Sequence, residues 1–125
     1  MGNRAKYIAK AKAAATFQDA IFFLVYFNNQ RYFWRVTSEA GEATIPDEIS
    51  PEEIFDSFDE QKFIEQRADA ANLLGRNAYI GAVFFKYPDS ELSYEQALAR
   101  MQSMHPGYCE EVYSAVAQNS IQGMR

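Results

Sequence analysis

The stretch IFFLVYFNNQRYFWRVT, residues 21–37, determines how the rest of the chain is interpreted. It contains two runs of aromatic and β-branched residues, separated by Asn28, Asn29 and Gln30. Both runs have the composition of β-strands. Asparagine tolerates the positive φ of a tight turn. The pattern therefore predicts a β-hairpin over residues 20–37.

The two runs differ in periodicity, and the difference predicts their positions in a sheet. In the second run, Tyr32, Trp34 and Val36 fall on one face and the residues between them on the other. The first run shows no alternation, which is typical of a strand covered on both faces. We therefore expect the first run to be the central strand.

A third strand is predicted over residues 78–87, AYIGAVFFKY. A helix is the alternative, but Gly75 and Gly81 would each weaken it by about 1 kcal/mol relative to Ala. Together with the hairpin 20–37, this strand predicts an α+β fold, in which a small antiparallel-dominated sheet packs with four to five helices.

Helices are predicted from N-cap residues followed by apolar residues at helical spacing. The clearest start is Ser50, which is followed by Pro51 and, three residues after the cap, by Glu53. Residues 1–15 are interpreted as a basic helical arm. The predicted helices cover residues 3–15, 51–58, 58–74, 93–104 and 108–120.

Length and composition predict one cytoplasmic domain over residues 1–125. Apolar residues make up 48% of the chain, which is enough to form a core. The only cysteine, Cys109, excludes an internal disulfide and fits a reducing compartment. The uncharged run of residues 20–30 is about half as long as a membrane-spanning helix. We expect no membrane association.

Charge is distributed very unevenly along the chain. Residues 1–37 hold six basic residues and one acidic residue, whereas residues 38–60 hold nine acidic residues and no basic one. Some of these carboxylates fall in predicted first turns of helices, where they are favoured by the helix dipole. The others could solvate a loop, pair with the basic N-terminal arm, or steer a basic partner towards this part of the surface.

Motifs that would indicate an enzyme are missing from the sequence. It has no phosphate-binding glycine loop, no dinucleotide-binding glycine motif, and no zinc motif. His105 and Cys109 lie four residues apart, but a turn histidine and a core cysteine are the favoured interpretation over a nucleophile with its base. We predict no catalytic residue, no metal and no cofactor.

The leading functional hypothesis is a small acidic protein-binding module of the inhibitor, antitoxin or immunity kind. It would engage a basic surface of a larger protein through carboxylates, with Phe55 or Phe58 as the central anchor. The predicted partner-binding residues are Glu39, Glu42, Asp47, Glu48, Glu52, Phe55, Asp56 and Phe58.

Two alternatives use the basic N-terminal region. In a self-assembling structural protein or assembly factor, the basic region of one copy would meet the acidic stretch of another. In a nucleic-acid-binding protein, the basic side chains would contact phosphates. The predicted nucleic-acid contacts are Arg4, Lys6, Lys10, Lys12, Arg31 and Arg35.

Overall fold

A computed structural model describes residues 3–31, 36–37, 40–41, 43–75 and 91–123 of the chain. Contacts within the chain define two compact units, Met1–Arg67 and Ala68–Arg125. The regular elements are α1 (Asn3–Ala13), α2 (Phe17–Gln30), β1 (Val36–Thr37), β2 (Ala43–Thr44), a 3₁₀ turn (Pro51–Glu53), α3 (Glu60–Gly75), α4 (Glu91–Met104) and α5 (Glu110–Gly123).

The predicted α+β fold is wrong, because the described residues form a helical protein. Five α-helices account for most of them, and β structure is limited to the two-residue pairing of β1 with β2. In this pairing Val36 lies opposite Thr44 in an antiparallel register. The predicted third strand, residues 78–87, lies outside the described residues.

The predicted hairpin 20–37 is also wrong, because its first half is a continuous helix. Thr16 is the N-cap of α2, and its side chain accepts a hydrogen bond from the Asp19 N–H at 3.1 Å. The Asn28-Asn29 pair lies in the last turn of α2 rather than in a β-turn. Of the predicted second strand, residues 32–35 lie outside the described part of the chain.

Burial explains why α2 is helical despite its strand-like composition. Every residue from Asp19 to Val25 is buried, and Phe27 is fully buried. A helix covered on nearly all sides has no polar face, so its sequence lacks the 3.6-residue period. Such a run is indistinguishable by periodicity from a central strand. Helix propensities differ by less than about 1 kcal/mol per residue, which packing readily overrides.

The basic arm is a helix that packs against α2. The ring of Tyr7 stacks on Tyr26 with 5.7 Å between centroids and also contacts Phe27. Lys10 Nζ lies 5.6 Å from the centroid of the Phe23 ring. Aromatic and cation–π contacts of this kind hold α1 along α2 although α1 buries only one residue, Ala11. No helix among the described residues combines the length and hydropathy needed to cross a membrane.

The apolar face that helical spacing predicts for α3 is confirmed in part. Phe63 and Leu74 are buried, whereas Ile64 and Ala71 are exposed. Its buried residues are Phe63 in the first unit and Ala70, Leu73 and Leu74 in the second.

The second unit has α4 and α5 joined by a turn, as predicted. Gly107 adopts a φ of +98°, which glycine tolerates without strain. Val112 and Val116 of α5 are fully buried, in agreement with the sequence. Cys109 is exposed, so the prediction of a core cysteine is wrong.

Candidate functional site

Residues 45–59, called here the acidic segment, connect β2 to α3 with little regular structure. The 3₁₀ turn Pro51–Glu53 is the only such element in this segment. Ser50 was expected to start a longer helix, but the helical turn ends after three residues. A segment without its own backbone hydrogen-bond ladder must be held by other groups.

Asn28 of α2 holds the acidic segment at its centre. The Asn28 amide donates to the carbonyl oxygen of Ile49 at 3.1 Å, and the Ile49 N–H donates to Asn28 Oδ1 at 2.8 Å. Ile49 is 2% exposed, so both of its backbone groups are paired where water has little access. The asparagine that the sequence assigned to a turn is therefore a two-point anchor for the segment.

Arg4 of α1, near the start of the chain, also binds the acidic segment. Its guanidinium donates to the carbonyl oxygens of Asp47 at 3.1 Å and Glu48 at 3.0 Å. It also donates to both carboxylate oxygens of Glu53, each at 2.7 Å. The fork of guanidinium donors is suited to binding several oxygens at once.

Glu53 links this arginine to the start of the 3₁₀ turn. Its Oε2 accepts a hydrogen bond from the Ser50 N–H at 2.8 Å, as the capping pattern predicts. This backbone hydrogen bond, followed by the Arg4 side chain, lowers the pKa of Glu53 below its ordinary value. The carboxylate therefore stays ionised to a lower pH than an ordinary glutamate, which preserves its pairing with Arg4.

Arg31 adds a third contact, at the end of α2. Its guanidinium donates to the carbonyl oxygen of Pro46 at 3.3 Å. It also lies 3.6 Å from a carboxylate oxygen of Glu48, which remains 65% exposed. The basic N-terminal region thus pairs with the acidic stretch within the same unit, as one of the sequence-based alternatives expected.

After these contacts, part of the acidic charge remains directed outwards. Asp47, Glu52 and Asp56 are exposed. Within the part of the chain that the structure describes, their carboxylates form no ion pair. Two other predicted contacts, Glu39 and Glu42, lie outside the described residues. The acidic segment therefore carries three exposed carboxylates and is held by its contacts with α1 and α2.

The predicted anchors Phe55 and Phe58 belong to a chain of four rings. Phe55 lies 5.1 Å from Phe17 of α2 and 6.1 Å from Phe58, and Phe58 lies 5.5 Å from Phe63 of α3. Phe63 is buried, whereas Phe17, Phe55 and Phe58 are half-buried. The structure therefore brings partly exposed aromatic rings and exposed carboxylates together on one segment.

The predicted nucleic-acid contacts are not brought together as one free basic surface. Arg4 and Arg31 bind the acidic segment, and Lys10 contacts the rings of Tyr7 and Phe23. Lys6 and Lys12 are exposed. Arg35 lies outside the described residues.

An open cleft of about 220 Å³ lies between α2, the acidic segment and α3. Leu24, Ile49 and Phe63 form apolar parts of its lining, and Glu48 and Arg67 supply its charged groups. The guanidinium carbon of Arg67 lies 5.7 Å from the centroid of the Phe63 ring. Sequence analysis missed this cleft, because its lining residues are far apart in the chain.

A second polar cluster, in the unit Ala68–Arg125, was also missed. Asp69 of α3 has one carboxylate oxygen 2.9 Å from His105 Nδ1, and the other accepts the Tyr108 hydroxyl at 2.7 Å. The Tyr113 hydroxyl donates to the His105 carbonyl at 2.6 Å. His105 is only 5% exposed. Because these groups are paired with one another and largely shielded from water, they stabilise the 105–109 turn.

Comparisons with protein families, with curated proteins and with solved structures found no match to this chain.

Proposed function

We propose that the protein is a binding module that engages a basic surface of a larger protein through the acidic segment. Asp47, Glu52 and Asp56 supply the charged contacts, and Phe55 and Phe58 supply the apolar ones. The inhibitor, antitoxin or immunity role expected from the sequence is the kind of function this surface serves. Its action is recognition rather than catalysis.

One observation carries this proposal: the acidic segment is held in place by α1 and α2 and carries exposed carboxylates. Arg4 and Asn28 fix its backbone. Binding to a segment that is already ordered loses less conformational entropy than binding to one that must first become ordered. Partly exposed rings beside carboxylates match the arrangement of protein interfaces, in which aromatic anchors are surrounded by a polar rim.

The self-assembly alternative receives less support from the same contacts. It requires the basic N-terminal region of one copy to meet the acidic stretch of another. Arg4 and Arg31 instead contact the acidic segment of their own chain. The basic charge that would join two copies is thus partly used within one copy.

The test is affinity capture from the native cell with three matched baits, followed by quantitative mass spectrometry. The first bait is the unaltered chain. The second carries Asp47→Lys and Glu52→Lys. The control carries Glu65→Lys and Glu95→Lys, which change the net charge equally at other exposed positions. We expect a basic protein to be captured by the first and third baits and to be lost from the second.

Association kinetics of the captured protein then test the charge directly. Steering by clustered charge raises association rates by about 10- to 1,000-fold at low salt. We expect the Asp47→Lys, Glu52→Lys variant to associate at least about tenfold more slowly at low salt than the control variant. Equal rates for the two variants would contradict the proposal.

A further inference from the structure

Three of the four rings described above keep part of their surface in contact with solvent. The centroid of Phe55 lies 5.1 Å from that of Phe17 and 6.1 Å from that of Phe58, at interplanar angles of 39° and 53°. All three rings are half-buried. Because they are tilted against each other rather than stacked face to face, part of the ring faces stays open to a further group. The face of an aromatic ring attracts cations.

Two other rings of the unit Met1–Arg67 already hold a cation of the chain. Lys10 Nζ lies 5.6 Å from the centroid of Phe23, and the guanidinium carbon of Arg67 lies 5.7 Å from the centroid of Phe63. Within the described part of the chain, no cation lies over the three half-buried rings. These rings therefore offer the same kind of contact to a cation from outside.

The carboxylates next to these rings are also without a cation. In the sequence FDSFDE, residues 55–60, Phe55 is followed directly by Asp56 and Phe58 by Asp59. Both aspartates are exposed, and among the described residues neither forms an ion pair. Since successive Cα atoms are only about 3.8 Å apart, a cation over either ring lies within reach of the following carboxylate.

The chemistry of this arrangement favours arginine over lysine. A guanidinium is planar, so its face can stack on a ring while the N–H groups along its edge donate to a carboxylate. The lysine ammonium is a compact, more strongly hydrated charge and presents no such face. The acidic segment already binds a guanidinium, because Arg4 donates to both carboxylate oxygens of Glu53 at 2.7 Å.

We propose that an arginine of the protein partner binds here, with its guanidinium against the ring of Phe55 and its N–H groups directed to Asp56. This recognition rests on the proposed function and names the residue type that the acidic segment selects. The apolar contact of the ring is then made with the guanidinium face and the methylene stem of the arginine. Phe58 and Asp59 supply the same two groups three residues further on.

N-acetyl-arginine amide is the probe, titrated at low salt into the unaltered full chain and followed by amide NMR shifts. We expect saturable shifts at Phe55, Asp56 and Phe58. N-acetyl-citrulline amide has nearly the same shape but no charge, and we expect no saturable shift with it. N-acetyl-lysine amide has the charge without the planar group, and we expect it to bind more weakly than the arginine probe.

Matched variants assign the carboxylate contact. Asp56→Asn should weaken binding of the arginine probe about two- to fivefold, the effect of losing an exposed ion pair. Glu65→Gln, at an exposed position of α3, is the control and should leave the affinity unchanged. Equal affinities for the two variants would contradict the role of Asp56.

Two substitutions of Phe55 assign the ring contact. Phe55→Leu keeps an apolar side chain but has no ring face, so it should weaken binding about two- to fivefold. Phe55→Tyr keeps the ring and should retain the affinity. Amide spectra that match the unaltered chain outside the acidic segment establish that both variants are folded.

Three results would overturn the inference: no saturable shift at these positions, equal affinity for the citrulline or lysine probe, or tighter binding of N-acetyl-leucine amide. None of them touches the proposed function, which is tested by charge reversal at Asp47 and Glu52. Conversely, unchanged association rates after that reversal would contradict the proposed function while leaving the arginine titration intact.

Discussion

In each unit, polar side chains hold a connecting segment in place, but the surroundings of these side chains differ. In the first unit, Arg4 reaches the acidic segment at its surface, and its side chain is about one-third exposed. In the second, Asp69, whose side chain is 38% exposed, holds the turn between α4 and α5 through His105 and Tyr108, which are buried. Exposed ion pairs are weak and screened by salt, whereas buried groups are costly to leave unpaired. We therefore expect the loss of the Asp69 contacts to lower the free energy of unfolding more than the loss of the Arg4 contacts.

The largest effect is expected from Asp69→Ala. This change removes the acceptor from two buried donors, the His105 ring N–H and the Tyr108 hydroxyl, and each unsatisfied donor costs about 1–3 kcal/mol. We expect a loss of about 2–4 kcal/mol in the free energy of unfolding, because partial exposure of the site lets water compensate in part. Denaturant-induced unfolding at low and high salt measures this change in the free energy of unfolding.

The control is Asn72→Ala, an exposed position on the same helix. It should change stability by less than about 0.5 kcal/mol. The loss of unfolding free energy in Asp69→Ala should persist at high salt. If it disappeared as salt was added, the Asp69 contacts would behave like the exposed Arg4 ion pair, and the distinction between the two units would be wrong.

The next effect is expected from Asn28→Ala, which breaks the buried anchor within the first unit. The change leaves both backbone groups of Ile49 without their partners, and we expect a loss of about 1–3 kcal/mol. Hydrogen exchange of the Ile49 amide should accelerate accordingly. Asn29→Ala, at the exposed neighbouring position, is the matched control and should have little effect on either measurement.

A smaller effect is expected from Arg4→Met. Its ion pair with Glu53 is partly exposed, so we expect a loss of less than about 1 kcal/mol at low salt. The loss should shrink as salt is added. Lys6→Met on the same helix provides the control. If Arg4→Met lowered the free energy of unfolding as much as Asp69→Ala at every salt concentration, the expected difference between the Arg4 and Asp69 contacts would be contradicted.

The smallest effect is a pH dependence that originates at Glu53. Its pKa in the folded protein is lowered, so the stabilisation is present above the unfolded-state pKa and is lost as pH falls through the folded-state value. The stability difference between the unaltered chain and Glu53→Gln should therefore narrow as pH falls below about 4. A difference that is constant between pH 6 and pH 3 would contradict this assignment.

Several local features were predictable from the sequence because they depend on neighbouring residues. The Ser50–Glu53 capping contact, the His105–Gly107 turn and the end of α4 at Met104 are of this kind. The concentration of carboxylates in residues 38–60 was visible in the sequence, but charge alone did not show which of them, such as Asp47 and Glu52, remain exposed. The anchoring of the acidic segment was not predictable, since the contacts of Arg4 with the segment join residues more than 40 positions apart.

By itself, the sequence determined the composition, the uneven distribution of charge, the Ser50–Glu53 cap and the turn at Gly107. The cap and the turn were readable because each depends on residues only a few positions apart. Only the tertiary structure decided that residues 17–30 form a helix, because burial on nearly all sides removes the periodicity by which helix and strand are told apart. It also decided the role of Asn28. A side chain that could serve a tight turn pairs instead with Ile49, 21 positions away, because the packing of the unit places an unpaired backbone beside it.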